Sequence, residues 1–188
     1  MPDVGSHCIK KRKKMNVRRI NKEEIVKLHD IDRSEIVNQI YYAIDGSLVL
    51  RDEHYDVPKW SDDVLRGYMK ALTELYDRGG VIFGVFDDEK MVGIMALGSE
   101  MIGKNRDRIV LDFMHISKDY RKRGLGKRLV DMARSEAKKM NAQKLYISAC
   151  PTKNTVDFYM KNGAIVTEDM DKEMFEKEPD DIHMEVVL

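Results

Sequence analysis

The chain has 188 residues, 33 of them basic and 33 acidic, so its formal net charge is zero although 35% of residues are charged. That balance argues against a polyanion-binding role for the chain as a whole, and the length is that of one domain with a sizeable core. No apolar stretch approaches the roughly 18 residues of a membrane-spanning helix.

Residues 1–14 read as a solvated basic leader, in which Lys10, Lys11, Arg12, Lys13 and Lys14 stand against Asp3. No aromatic is interleaved and no helix face is apolar, so neither nucleic acid nor membrane is expected as a partner. A single folded domain is expected over 15–188. Residues 17–20 predict a strand, and Asn21 then caps a helix with Glu23 and Glu24 in its first turn. Ile25, Leu28 and Ile31 or Asp32 give that helix its inner face, and residues 30–34 are expected to carry it on or start a second turn, ending near Tyr42. Residues 48–50 alternate weakly into a polar, aromatic stretch to 60 that includes Pro58, which suits a strand or loop on a pocket rim or an ordinary surface loop.

Ser61 opens another helix with Val64, Leu65, Tyr68, Leu72 and Leu75 inward, stopped by Gly79 and Gly80. Residues 81–86 and 91–97 form a hairpin around Asp87, Asp88, Glu89 and Lys90. Residues 106–116 are a central strand. A long helix follows, with Leu125, Leu129, Met132, Ala133, Ala137 and Met140 on one face. Residues 144–148 are a strand, 152–162 a helix and 164–167 a strand. Residues 168–181 form an acidic loop with eight acids and two lysines, and 182–188 close as a strand that could pair between subunits at an edge, leaving monomer or homodimer open.

The junction after residue 116 carries the chemistry. A strand, a basic turn with Gly124 and Gly126 and a helix N-terminus aim unpaired backbone N–H groups and the positive helix end at one point, where a pyrophosphate fits. The spacing lacks the third glycine and the downstream acid of a dinucleotide fold, and it lacks the Gly-Lys-Ser/Thr of a P-loop. Two cysteines, Cys8 and Cys150, give no disulfide framework and suit a reducing cytoplasm, and no Cys/His spacing points to a metal. Cys150, with no His or Asn partner visible, reads as a packed thiol.

Arg121-Lys122-Arg123-Gly124-Leu125-Gly126 resembles the Arg/Gln-x-x-Gly-x-Gly/Ala signature of the GCN5-related N-acetyltransferases (GNAT), here of the small bacterial type. Asn154 followed by Phe158, Tyr159 and Gly163 is similar to that family's second signature. The resemblance implies an α/β (α+β) fold over nearly the whole chain: a central mixed, mostly antiparallel sheet of about seven strands flanked by about four helices. It implies acetyl-CoA as co-substrate and a primary amine, of a small molecule or peptide, as acceptor, by direct attack in a ternary complex. The alternative is a non-catalytic acyl-CoA-binding or regulatory domain.

By that resemblance Met114, His115 and Ile116 offer backbone contacts to the pantetheine arm. Arg121, Lys122, Arg123, Gly124, Leu125, Gly126 and Lys127 hold the pyrophosphate, and Asn154 orients the cofactor. Tyr159 matches the residue whose hydroxyl serves the leaving sulfur, and a phenol near its ordinary pKa of about 10 is a reasonable donor there. For the general base, Asp112 stands in an apolar run where burial would strengthen it, and His115 is chemically better suited near neutral pH. A water chain without a dedicated base is the third possibility. The acidic segment 168–181, with Asp52, Glu53 and Asp56, either draws a cationic amine or merely keeps the surface solvated.

Overall fold

A computed structural model describes residues 15–188, and the basic leader lies outside the described residues. Seven strands form the main sheet in the order β1-β4-β5-β6-β7-β9-β8, and β2 and β3 form a separate two-stranded sheet. The strands are β1 (Asn16–Arg19), β2 (Glu35–Ile44), β3 (Ser47–Val57), β4 (Val81–Asp87), β5 (Lys90–Ile102), β6 (Arg108–Ile116), β7 (Lys144–Ala149), β8 (Ile165–Val166) and β9 (Ile182–Val187). The helices are α1 (Asp62–Asp77), α2 (Leu125–Lys139), α3 (Lys153–Lys161) and α4 (Lys172–Lys177). Every neighbouring pair is antiparallel except β6 and β7.

The N-terminal third departs most from expectation. Asn21 does cap a helix, with Glu24 completing a capping box, but that helix is 3-10 and ends at Asp30. The helix expected to run toward Tyr42 is instead strand β2. Asp45 and Gly46, at φ 48° and 76°, make the two-residue turn that returns the chain along β3, and paired positive φ values are what such a tight hairpin needs. The acidic segment contains the short helix α4, and β9 is no edge, because β8 pairs with it at Met184 and Glu185.

Two apolar layers clothe the sheet. One joins it to α2 and α3 through residues such as Leu111, Leu129, Ala133, Ile147, Val156 and Tyr159. The other joins it to the first 3-10 helix and α1 through Ile25, Leu28, Leu72, Ile94 and Phe113. Each fully buried Leu or Ile contributes about 1.5–3 kcal/mol, so the inward stripe of α2 is enough to fix its docking. Leu111 and Phe113 would share a face under strict alternation, yet they lie in opposite layers. The register explains this: Ala96 pairs with Phe113 and Leu97 with Leu111, so Asp112 is an extra residue, a β-bulge that rotates the strand.

The ladder between β6 and β7 is short. It runs only from Arg108–Lys144 through Val110–Tyr146. Past Val110 the strands diverge, leaving residues 111–116 of β6 with an unpaired edge among the described residues.

Candidate active site

The unpaired edge of β6 leads into the basic turn. After Ile116 come a 3-10 turn (Lys118–Tyr120) and then α2. Lys122 and Gly124 both adopt positive φ, 57° and 81°, and alternating backbone hands of this kind turn successive N–H groups inward as an anion nest. Among the described residues, no acceptor takes the N–H groups of residues 122–127, while those of Arg121 and Arg128 are bonded to Lys118 O and Gly124 O. Six adjacent donors and the positive end of a 15-residue helix converge here. A Cβ on Gly124 would meet nothing within 4 Å, so the turn opens on free space; one on Gly126 would come within 2.9 Å of Phe158, so that glycine lets α3 approach α2.

The four cations of the turn divide into two kinds. Arg121 is committed to the protein: its guanidinium donates to Ile116 O (3.0 Å), Arg33 O (2.9 Å), Ser34 O (3.2 Å) and Glu35 Oε2 (3.2 Å). It clamps the end of β6 to the entry of β2. Lys127 pairs with Asp131 at 2.6 Å. Lys122 is exposed, and Arg123 lies 5.1 Å from the Tyr120 ring, whose hydroxyl donates to Asp87. Lys122 and Arg123 therefore supply the uncommitted charge. Asn154 is also partnered, donating to Glu35 Oε1 at 2.6 Å.

Tyr159 is buried beneath α3, edge-to-face with Phe158 at 5.1 Å. Its hydroxyl has no hydrogen-bond partner among the described residues, and burial pushes its pKa up from the ordinary phenol value. The group is a held proton.

The two candidate bases stand apart. Asp112, at the bulge, is exposed and lies 3.6 Å from Lys177 of α4, so the burial that would strengthen it as a base is missing. His115 lies among Phe113 (4.7 Å) and Trp60 (5.2 Å), and Tyr68 completes the aromatic group against Trp60 and Phe113. Burial, then Arg121 and Arg33, lowers the His115 pKa to about 4. It is neutral at physiological pH, and a weak base. Met114 and Ile116 pack toward α2 and α3 while their backbone faces the open edge.

Sequence reasoning missed the aromatic wall and the carboxylates around it. Trp60 donates its indole N–H to Ile31 O at 2.7 Å and carries Arg33 over its ring at 4.5 Å. Glu35 gave no signal, because it opens a strand that the sequence pattern read as helix. Asp181 was counted only as one of many loop acids. Among the described residues no three His, Cys, Asp or Glu side chains are grouped as a metal site, and no helix is long and apolar enough to cross a membrane.

The geometry agrees with comparison to known proteins. The profile of the acetyltransferase (GNAT) family matches residues 40–164. Among solved structures, nourseothricin acetyltransferase is similar over 92% of this chain and 98% of its own, at 14% identity and a TM-score of 0.66. A putative streptothricin acetyltransferase from Bacillus anthracis, in complex with acetyl coenzyme A, matches at 18% identity over 93% and 99% with a TM-score of 0.68. PaiA N-acetyltransferase from Thermoplasma acidophilum, in complex with coenzyme A, matches at 18% identity over 93% and 99% with a TM-score of 0.60. At these identities the likeness is one of fold. No curated protein sequence matches the chain. With two thirds of its length inside the family profile and both signature segments built around one divergent strand pair, the chain belongs to the acetyltransferase (GNAT) family.

Proposed function

We propose that this chain transfers an acetyl group from acetyl-CoA to a primary amine by direct attack in a ternary complex. The observation that carries the reading is the continuity of three features: the open edge of β6, six uncommitted N–H groups at 122–127 and the unpartnered hydroxyl of the buried residue Tyr159. Bound acetyl-CoA would supply an activated thioester. The turn formed by Arg121, Lys122, Arg123, Gly124, Leu125, Gly126 and Lys127 receives its pyrophosphate through backbone N–H groups, with Lys122 and Arg123 adding charge.

The open edge offers backbone groups of Met114 and Ile116, on either side of His115, to an extended arm, in the manner of an added strand. Tyr159 holds a proton for the departing sulfur, and its surroundings keep that proton in place across the physiological range. Asn154, tied to Glu35, lies beside this path. Asp112 is retained only as a weak candidate for proton acceptance, since Lys177 already neutralises it. A free Cys150 suits a reducing cytoplasm.

The test is release of CoA thiol from acetyl-CoA in the presence of polyamines, aminoglycosides and lysine-bearing peptides, with wild type beside Tyr159→Phe. Turnover on an amine that falls about 10²-fold in the variant supports the reading. Tight acetyl-CoA binding without turnover on any amine would favour a non-catalytic acyl-CoA-binding domain instead.

A further inference from the structure

Three carboxylates stand near the open edge of β6, and two are already neutralised. Asp112 faces Lys177, and Glu35 takes Arg121 and Asn154. Asp181 differs. It immediately precedes β9, whose first residue, Ile182, pairs with Ala149 at the end of β7, on the stretch of β7 that has parted from β6.

Ile182 and Ala149 both pack in the α2 and α3 layer, so alternation turns Asp181, His183 and Ser148 to the opposite face, which they share with Phe113 and His115. Asp181 is partly buried; its N–H donates to Glu178 O, and among the described residues its carboxylate accepts one hydrogen bond, from the neutral Ser148 hydroxyl at 3.3 Å. No Lys or Arg among the described residues forms an ion pair with it.

The neighbouring groups act in both directions. Glu178 and Asp180 on its own loop oppose its charge and His183 on β9 favours it, while Tyr146 of β7 and Cys150, just past β7, are the other titratable groups nearby. His183 is engaged at both ring nitrogens, by the Tyr146 hydroxyl at 2.9 Å and Glu178 O at 3.0 Å. With Nε2 carrying the proton, both bonds are satisfied, and the ring is not turned to Asp181 as a donor. A half-desolvated carboxylate without an internal cation is a receptor for one from outside.

We propose that Asp181 receives the ammonium group of the acceptor and takes the proton that frees its lone pair. The inference rests on the amine-acetylating reading above. The protons balance. Of the three on the ammonium group, one passes to Asp181 and on to solvent. One remains on the product amide. The third replaces the proton that Tyr159 gives to the sulfur as the C–S bond breaks and the C–N bond forms. Burial, with Glu178 second, raises the carboxyl pKa above its ordinary value, which makes it a stronger base than a surface aspartate.

The experiment follows thiol release with spermidine, kanamycin and a lysine-bearing peptide from about pH 5 to pH 10, using wild type, Asp181→Asn and Asp181→Glu. Acetyl-CoA affinity is read in parallel from Trp60 fluorescence. The expected result is a loss of about 10²-fold or more in kcat/KM for the amine in Asp181→Asn. The acidic limb of the pH profile should vanish, Asp181→Glu should restore part of the rate, and acetyl-CoA affinity should stay within about twofold. Because burial disfavours the charged carboxylate, the Asn variant should be at least as heat-stable as wild type near neutral pH. An Asn variant with unchanged kcat/KM and the same acidic limb overturns the assignment of Asp181 while leaving acetyl transfer intact. A wild type that binds acetyl-CoA but acetylates none of the three amines overturns both.

Discussion

Arg121 and Asn154, one from each signature segment, meet on a single carboxylate: Glu35 lies 3.2 Å from the Arg121 guanidinium and 2.6 Å from the Asn154 amide. The link draws the phosphate turn, the start of α3 and the entry to β2 into one charged network. Glu35→Ala should lower stability by about 1–3 kcal/mol, as expected for part-buried bonds to charged groups. Because the pair acts as a unit, Glu35→Ala with Asn154→Ala should cost less than the sum of the single changes. Denaturant unfolding of the three variants checks this, and strict additivity would refute the coupling.

Two glycines in the turn should fail for different reasons. Gly124→Ala puts a side chain at φ 81° with open space ahead of it, so it should cost about 1–2 kcal/mol of strain and weaken acetyl-CoA binding at least tenfold. Gly126→Ala presses on the Phe158 ring, and its damage should be relieved by adding Phe158→Leu. Calorimetric binding with parallel melting curves separates the two.

Tyr159 offers a test in which activity and stability part company. Its hydroxyl has no partner to lose among the described residues, so Tyr159→Phe should melt at the wild-type temperature or above. Its kcat should nevertheless fall about 10²-fold. The raised pKa also implies that ionisation of this phenol sets no limit on rate up to about pH 10. A variant that loses stability and rate together would point to a structural bond.

His115 makes a prediction about acid. Its folded pKa, about 4, lies below the unfolded value of about 6.5, so between those limits the unfolded chain binds more protons. Stability contributed by the neutral ring is thus complete above about pH 6.5 and is lost as pH falls toward 4. His115→Phe should flatten that part of the stability curve, as measured by urea midpoints across the window.

The legible parts of the sequence were those where one period dominates. Leu125, Leu129, Ala133 and Ala137 marked α2, and Thr152 with Val156 and Tyr159 marked α3. The apolar strands β4 to β6 stood out because they are buried on both faces. Strand β2 was misread as helix because its exposed residues break any alternation and Ile36, Ile40 and Ile44 mimic a helical stripe, whereas residues 48–57 were open to strand or loop and are strand. Asp45-Gly46 was the available clue. The bulge at Asp112 was not readable, since it depends on which residue of β5 lies opposite. With it went the sidedness of His115. Ion pairs such as Asp112–Lys177 join residues far apart in sequence, and no local pattern announces them.

Beyond the Glu35 network at its entry, the ribbon is fastened to the rest of the molecule at few points among the described residues. Tyr41 donates its N–H to Pro151 O and its hydroxyl to Asp157, and Ile40 bridges to Thr152. A lone hairpin of this kind is marginal in water and depends on that docking for its order. No rung of the seven-stranded sheet passes through it. Insertions, deletions or wholesale exchange between residues 42 and 54 therefore leave the donor-binding half untouched.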